Sequence, residues 1–322
     1  MTTLLEVQNL SKNFVSGSRF SAGGQQIVQA LSDVSFTVET GETLGLVGES
    51  GCGKSTLGRC LLRLYQPTAG HIIFNGHDIT HMHEAKLRPL RAHMQMIFQD
   101  PYASLNPRRR VGELIAEPLK IHQNLSKTEL ETRLESLITE VGLAPDHLTR
   151  YPHEFSGGQR QRIGIARAIA LSPRLIIADE PVSALDVSVQ AQIVNLLADL
   201  QARLALTYVF IAHDLAVVRH IATRTAVMYL GTIVELGRTD DVLHRPAHPY
   251  TASLISAVPE PNPAGTAPRT ILQGEPPSPA NPPAGCRFHT RCPAAQPRCA
   301  TDRPALLPIA PNRQVACHFP LL

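Results

Sequence analysis

The stretch Gly48-Glu49-Ser50-Gly51-Cys52-Gly53-Lys54-Ser55-Thr56 constrains this chain more than any other, because it fits G-x-x-x-x-G-K-[ST] in the setting that gives the pattern a mechanism. It follows the apolar run Leu44 to Val47, which reads as a buried strand, and it opens a helical pattern that runs through Leu64. Glycines let backbone N–H groups curl around phosphate oxygens, and the start of a helix favours negative charge. Lys54 is then placed to reach the β and γ oxygens of a nucleotide, and Ser55 to ligate Mg²⁺. A chance glycine-rich turn would lack both the strand before it and the helix after it.

The rest of the chain alternates short apolar runs with longer helical patterns, the signature of an α/β fold. Leu44 to Val47, Met94 to Phe98, Leu175 to Ala178 and Tyr208 to Ala212 read as buried strands. Val187 to Leu204 reads as a helix whose Ile193, Leu196, Leu197, Leu200 and Leu204 form a core-facing stripe. Strand signals are absent from Val111 to Ala170, so a helical subdomain over about residues 105–170 is expected inside an ATPase domain of residues 1–245. Residues 16–26, rich in Gly and Ser, read as a flexible loop between the first two strands. Beyond residue 245 prolines crowd the sequence, and residues 246–322 form a smaller Pro- and Cys-rich extension.

Composition narrows the function classes. At 43% hydrophobic and 18% charged residues the chain is ordinary globular protein; its formal net charge is only +3, and the one dense basic run, Arg108 to Arg110, reads as a solvated or phosphate-adjacent loop rather than a nucleic-acid footprint. The start MTTLLEVQNL has no basic segment or cleavage site, and the most apolar stretch, Leu204 to Ala212, falls far short of the ~20 residues a spanning helix needs. A cytoplasmic location, with partners holding the chain at a membrane, is expected.

A second element supports nucleotide chemistry. Leu175-Ile-Ile-Ala-Asp179-Glu180 delivers Asp179 from a buried strand toward Mg²⁺ and places Glu180 beside it as a candidate base for water. Phe155-Ser156-Gly157-Gly158-Gln159-Arg160-Gln161-Arg162 then resembles the signature sequence of ABC ATPases, with Phe at a position more often Leu. Gln99 in Ile97-Phe-Gln-Asp-Pro101 is similar to the Q-loop, Ser183-Ala-Leu-Asp186 to the D-loop, and His213 in Ile211-Ala-His-Asp214 to the switch histidine. The resemblance implies an ABC-type ATPase domain with an inserted helical subdomain. It also implies that Gln99 senses Mg²⁺ and the attacking water and that Asp186 helps build a dimer interface. His213 would contact the γ-phosphate, and Ser156 to Gln159 would cap the ATP held by the other subunit. Phe14 stands where the family stacks an aromatic ring on adenine, although it equally suits a core position.

Phe98-Gln-Asp-Pro-Tyr102-Ala-Ser-Leu-Asn-Pro107 and His248-Pro249-Tyr250-Thr251 extend the resemblance to the ATPases of dipeptide and oligopeptide importers over essentially the whole chain. That family implies a second related ATPase, two membrane permease subunits and an extracytoplasmic substrate-binding protein as partners. Relatives that carry nickel, opines or glutathione share much of this sequence. A soluble ABC ATPase acting on ribosomes or DNA is disfavoured, since the chain holds a single cassette and no long coiled-coil insertion.

Cys286-x5-Cys292-x6-Cys299-x17-Cys317 is a four-thiol set, and in a reducing compartment metal is a better prior than disulfide. The spacing lacks the C-x2-C pairs common in zinc sites. Importer-family members with a matching Gly285-Cys-Arg-Phe288 and Arg291-Cys-Pro293 context carry a [4Fe–4S] cluster, which the resemblance implies here; zinc and unligated thiols stay open. Cys52 reads as a small filler of the phosphate loop, or as a thiol whose pKa Lys54 lowers. His71, His77, His81 and His83 read as solvated loop residues.

Overall fold

Short, fully buried apolar segments become strands, and the longer amphipathic ones become helices. A computed structural model describes residues 2–16, 25–257 and 274–321. In chain order its strands and helices begin with β1 (Thr3–Ser16), β2 (Gln26–Glu39), β3 (Thr43–Val47), α1 (Lys54–Leu61), β4 (Ala69–Phe74) and β5 (His77–Asp78). They continue with α2 (Glu84–Arg91), β6 (Met94–Ile97), α3 (Pro101–Ser104), α4 (Val111–His122), α5 (Lys127–Glu140), α6 (Gly157–Ile169) and β7 (Leu175–Asp179). Next come α7 (Val187–Leu204), β8 (Thr207–Ile211), α8 (Leu215–Ile221), β9 (Arg224–Tyr229), β10 (Thr232–Arg238), α9 (Thr239–His244) and α10 (Pro249–Ser256). The chain closes with α11 (Pro297–Thr301), β11 (Leu307–Ala310) and β12 (Arg313–Val315). The Gly- and Ser-rich segment is described only at its ends, and residues 17–24 lie outside the described residues.

The chain divides into two compact units, one of Met1–Thr2, Glu39–Thr43 and His81–Ala212, the other of Thr3–Val38, Leu44–Thr80 and His213–Leu322. In the first, β6, β7 and β8 pair in parallel, Met94 opposite Leu175 and Leu175 opposite Thr207. All five residues of β7 and of β8 are buried, which is why these strands are continuous apolar runs rather than alternating ones. Only helical elements lie between β6 and β7 among the described residues. The helix α7 buries Ile193, Val194, Leu197 and Leu200. Leu204, expected on that stripe, is 40% exposed, because it ends the helix where Ala205 turns into the left-handed region.

In the second unit β1 and β4 pair antiparallel in a sheet of order β2-β1-β4-β5. There His71 and His77 lie on β4 and β5 rather than in loops, with His71 Nδ1 2.7 Å from Asp78 Oδ2 across the hairpin. His83 caps α2 in the first unit, accepting from the Ala85 N–H. The second unit also pairs β3 with β9 in parallel, then β9, β10, β12 and β11 antiparallel. Gly45 on β3 leaves room for α8, since a Cβ there would lie 2.5 Å from Val218 Cγ1.

One buried carboxylate organises this end of the unit. Glu235 on β10 is fully buried and accepts from the backbone N–H groups of Ala247 and His248, both at 2.9 Å, and from Arg313 Nη2 at 2.9 Å. It thereby fixes the start of α10 and the strand β12 to β10. Replacing Glu235 by Ala strips two buried N–H groups and a largely buried guanidinium of this acceptor. Breaking such a pair costs about 3–5 kcal/mol, so the urea midpoint should fall clearly. A variant as stable as the wild type would remove Glu235 from this role.

Candidate functional site

The phosphate loop leaves β3 at Gly48, whose φ of +152° and crowding exclude a side chain: a Cβ would sit 2.2 Å from the Met228 carbonyl oxygen of β9. Gly53 precedes α1 with φ +107°, and a Cβ there would lie 2.5 Å from the Ala30 carbonyl oxygen. The loop is thus pressed against two backbones, and Gly231 N–H donates to the Cys52 carbonyl at 2.8 Å. The N-cap of α1 is Gly53, which makes no side-chain cap bond, and a helix start of this kind favours an anion. Lys54 is 4% exposed and folds back, its Nζ donating to the Gly48 carbonyl at 2.7 Å and the Glu49 carbonyl at 3.0 Å. Cys52 is 5% exposed, and burial pushes its thiol pKa up in spite of the nearby Lys54. The lowered thiol is therefore overturned and the filler reading stands, because desolvation outweighs one ammonium.

In the first unit β7 ends in Asp179, 2% exposed, followed by Glu180 with φ +45°. A non-glycine residue in that region is strained by about 1–3 kcal/mol and persists only where its surroundings fix it. They do so here: Glu180 N–H donates to the Ile211 carbonyl at 3.0 Å, and Ser183 Oγ donates to the Glu180 carbonyl at 3.1 Å. Its side chain meets Gln99, whose Nε2 donates to Glu180 Oε2 at 2.9 Å. The structure therefore brings together Gln99 and Glu180, two residues 81 positions apart in sequence.

Ser156 begins α6 through a reciprocal cap: its N–H donates to Gln159 Oε1 at 3.0 Å, and its Oγ accepts from the Gln159 N–H at 3.4 Å. Gly158 lets α7 approach, since a Cβ there would lie 2.4 Å from Val189 Cγ1. Phe155 is 4% exposed with its ring edge-on to His147 at 5.2 Å, so it fills a core position. Asp186 precedes α7 and is exposed, beside Val187 at 82% exposure. In the second unit the exposed His213 stands between β8 and α8. Phe14 is half-buried and meets Tyr65 edge-on at 5.4 Å, with Lys12 Nζ 4.8 Å from its ring centre. Tyr65 carried no motif in the sequence.

Cys286, Cys292, Cys299 and Cys317 line one small cavity together with His248, His289 and His318. Burial raises the thiol pKa of Cys286, and its neighbours Cys299 and Cys317 raise it further; Cys292 and Cys317 are pushed up likewise. The expected iron–sulfur or zinc site is not preformed: among the described residues no group of three or more His, Cys, Asp or Glu is placed to hold a metal ion. Four thiols whose ionised forms repel one another adopt no ligand geometry of their own accord.

Two contacts to the phosphate loop were invisible in the sequence. Arg291 grips the Glu49 carboxylate, Nη1 to Oε2 at 2.8 Å and Nη2 to Oε1 at 3.0 Å. Tyr250 Oη accepts from the Glu49 N–H at 2.9 Å. Both partners lie more than 200 residues downstream, and only the resemblance at His248-Pro-Tyr250 and Arg291-Cys-Pro293 marked these segments. Among the described residues no helix is long and apolar enough to cross a membrane.

Comparisons with known proteins show the family. Residues 31–183 match the family described as ABC transporter, and residues 234–299 match the oligopeptide/dipeptide transporter C-terminal region. The chain is 53% identical to the oligopeptide transport ATP-binding protein AppF of Bacillus subtilis, over 98% of this chain and 97% of that protein. It is 52% identical to a putative peptide import ATP-binding protein of Brucella ovis, over 98% of each. Among solved structures it resembles a dimeric ATP-binding cassette in a post-hydrolysis state bound to ADP and phosphate. The TM-score is 0.66 at 27% identity, covering 73% of this chain and 99% of that one. The fold is the ABC ATPase fold, and the chain belongs to the ATP-binding subunits of ABC transporters of the oligopeptide/dipeptide type.

Proposed function

We propose that this chain hydrolyses ATP to energise peptide import across the cytoplasmic membrane, working at that membrane's cytoplasmic face. The observation that carries the reading is the similarity over 98% of the chain to an oligopeptide transport ATP-binding protein, C-terminal region included. The partners are a second related ATPase, two permease subunits and an extracytoplasmic binding protein that selects the peptide. Residues 1–245 form the ATPase domain, with a helical subdomain near 105–170, and 246–322 the family's extension.

Each site residue then has a task. The amides and side chains of Gly48 to Thr56 take the phosphates, with Lys54 leaving its two carbonyl partners for the β and γ oxygens. Phe14 stacks on adenine. Ser55, Gln99 and Asp179 offer a hydroxyl, an amide and a carboxylate oxygen, the hard donor set that magnesium takes. Bound Mg²⁺ supplies neutralisation of the phosphate charge. Glu180 accepts the proton of the attacking water, Gln99 orients both, and His213 contacts the γ-phosphate. Ser156, Gly157, Gly158 and Gln159 present the α6 start to the nucleotide of the partner ATPase, and Asp186 lies in that interface.

The four cysteines hold a [4Fe–4S] cluster in this reading. What supports it is that all four thiols line one cavity.

Two experiments test these roles. Glu180→Gln in the assembled transporter should bind ATP with near wild-type affinity while turnover falls at least ~100-fold, the scale of a lost general base. Near-normal hydrolysis would remove Glu180 from the mechanism. Anaerobic purification should give a brown protein with about four iron atoms per chain; a colourless protein with stoichiometric zinc would overturn the cluster.

A further inference from the structure

Glu49, the second residue of the phosphate loop, has three sets of polar contacts, and two come from the C-terminal part of the chain. Its carbonyl accepts from Lys54 Nζ at 3.0 Å, its N–H donates to Tyr250 Oη at 2.9 Å, and its carboxylate is held in a two-pronged grip by Arg291. Arg291 is 6% exposed in its side chain and Glu49 26%, so the pair is shielded from water and salt. Fork-to-fork geometry of this kind is the strong and directional form of a charge-assisted hydrogen bond.

Both partners are themselves locked. Tyr250 lies in α10, capped by His248, whose Nδ1 accepts from the Tyr250 N–H at 3.0 Å. Burial lowers the His248 pKa to about 3, so its imidazole stays neutral and able to accept. Arg291 closes a 3-10 turn, His289–Arg291, between Cys286 and Cys292. Phe288 just before it packs on Tyr229 at 5.2 Å and Tyr250 at 5.4 Å. The aromatic trio and the turn thus place a guanidinium behind the loop.

Charge makes this arrangement consequential. A carboxylate inside a loop that receives a polyanion repels its ligand, and in a partly buried site that repulsion is poorly screened. Arg291 cancels it and fixes the Glu49 backbone at the same time. We propose that Arg291 and Tyr250 are positioning residues of the phosphate loop, through which the C-terminal segment sets this chain's affinity for ATP. The proposal rests on the reading of Gly48 to Thr56 as the phosphate site.

The test is titration of the full-length protein with a fluorescent ATP analogue, with thermal melting recorded in the absence of nucleotide. Arg291→Ala should weaken binding ~10-fold or more, since it leaves the carboxylate uncompensated. Arg291→Lys, which keeps the charge and loses the fork, should fall between it and the wild type. Tyr250→Phe, which removes only the acceptor of the Glu49 N–H, should weaken binding by a smaller factor. The combination of Glu49→Gln with Arg291→Ala should recover most of the lost affinity. Wild-type affinity in Arg291→Ala overturns the proposal. So does a loss that Glu49→Gln fails to repair, which would mark Arg291 as a purely structural support whose removal lowers the melting temperature. Lys54→Ala is the separate control: if it binds the analogue as the wild type does, the phosphate-site reading itself fails, and the proposal with it.

Discussion

Within the loop Gly48 to Thr56 the Cys52 N–H donates to the Glu49 carbonyl at 3.3 Å, and the rest of the loop's shape is imposed by the segments packed around it. Here β9 presses on Gly48, the Ala30 carbonyl bounds Gly53, and Gly231 holds the Cys52 carbonyl. Lys54 Nζ donates to the carbonyls of Gly48 and Glu49. Behind the loop, Tyr250 and Arg291 occupy the remaining polar groups of Glu49. Tyr250 belongs to α10, whose start the fully buried Glu235 anchors through the N–H groups of Ala247 and His248. Tyr250 and Arg291, from the C-terminal part of the chain, are therefore packed as supports of the Gly48–Thr56 loop in their unit.

The other unit solves a different problem, that of aiming a carboxylate at a fixed point. The chain reverses immediately after β7, and Glu180 accepts a left-handed backbone to do so. Hydrogen bonds from Glu180 to Ile211 and from Ser183 to Glu180 hold the strain in place. Gln99 then orients the side chain from β6's exit. A strained residue persists only where neighbours fix it, and here they fix both the backbone and the carboxylate of Glu180.

Much of this was legible in the sequence because its signals are local. Continuous apolar runs gave β3, β7 and β8, as expected for parallel strands buried on both faces, while β6 carries the half-buried Gln95 and stops at Ile97, leaving Phe98, expected in the buried strand, 39% exposed. The glycines at 48 and 53, the Ser156 to Gln159 cap and the Asp179-Glu180 strand end are each written within a few residues. What stayed hidden was set by distance along the chain. The Arg291–Glu49 grip joins residues 242 apart, and no periodicity or spacing announces a pair of that kind. Tyr65 beside Phe14 was hidden for the same reason, and the His71–Asp78 pair because it is made by the pairing of β4 with β5. The thiol set was visible as a pattern, while its lack of a preformed metal geometry is a property of side-chain directions that spacing does not encode.

Whether this chain drives a membrane transporter is decided by what it holds on to in its own cell. The chain is tagged in its native host, membranes are extracted in mild detergent, and the co-purifying proteins are identified. The account predicts two permease subunits and a second ATPase recovered with it from the membrane fraction. Recovery from the soluble fraction with ribosomal proteins or DNA-processing factors, and without permeases, would contradict it.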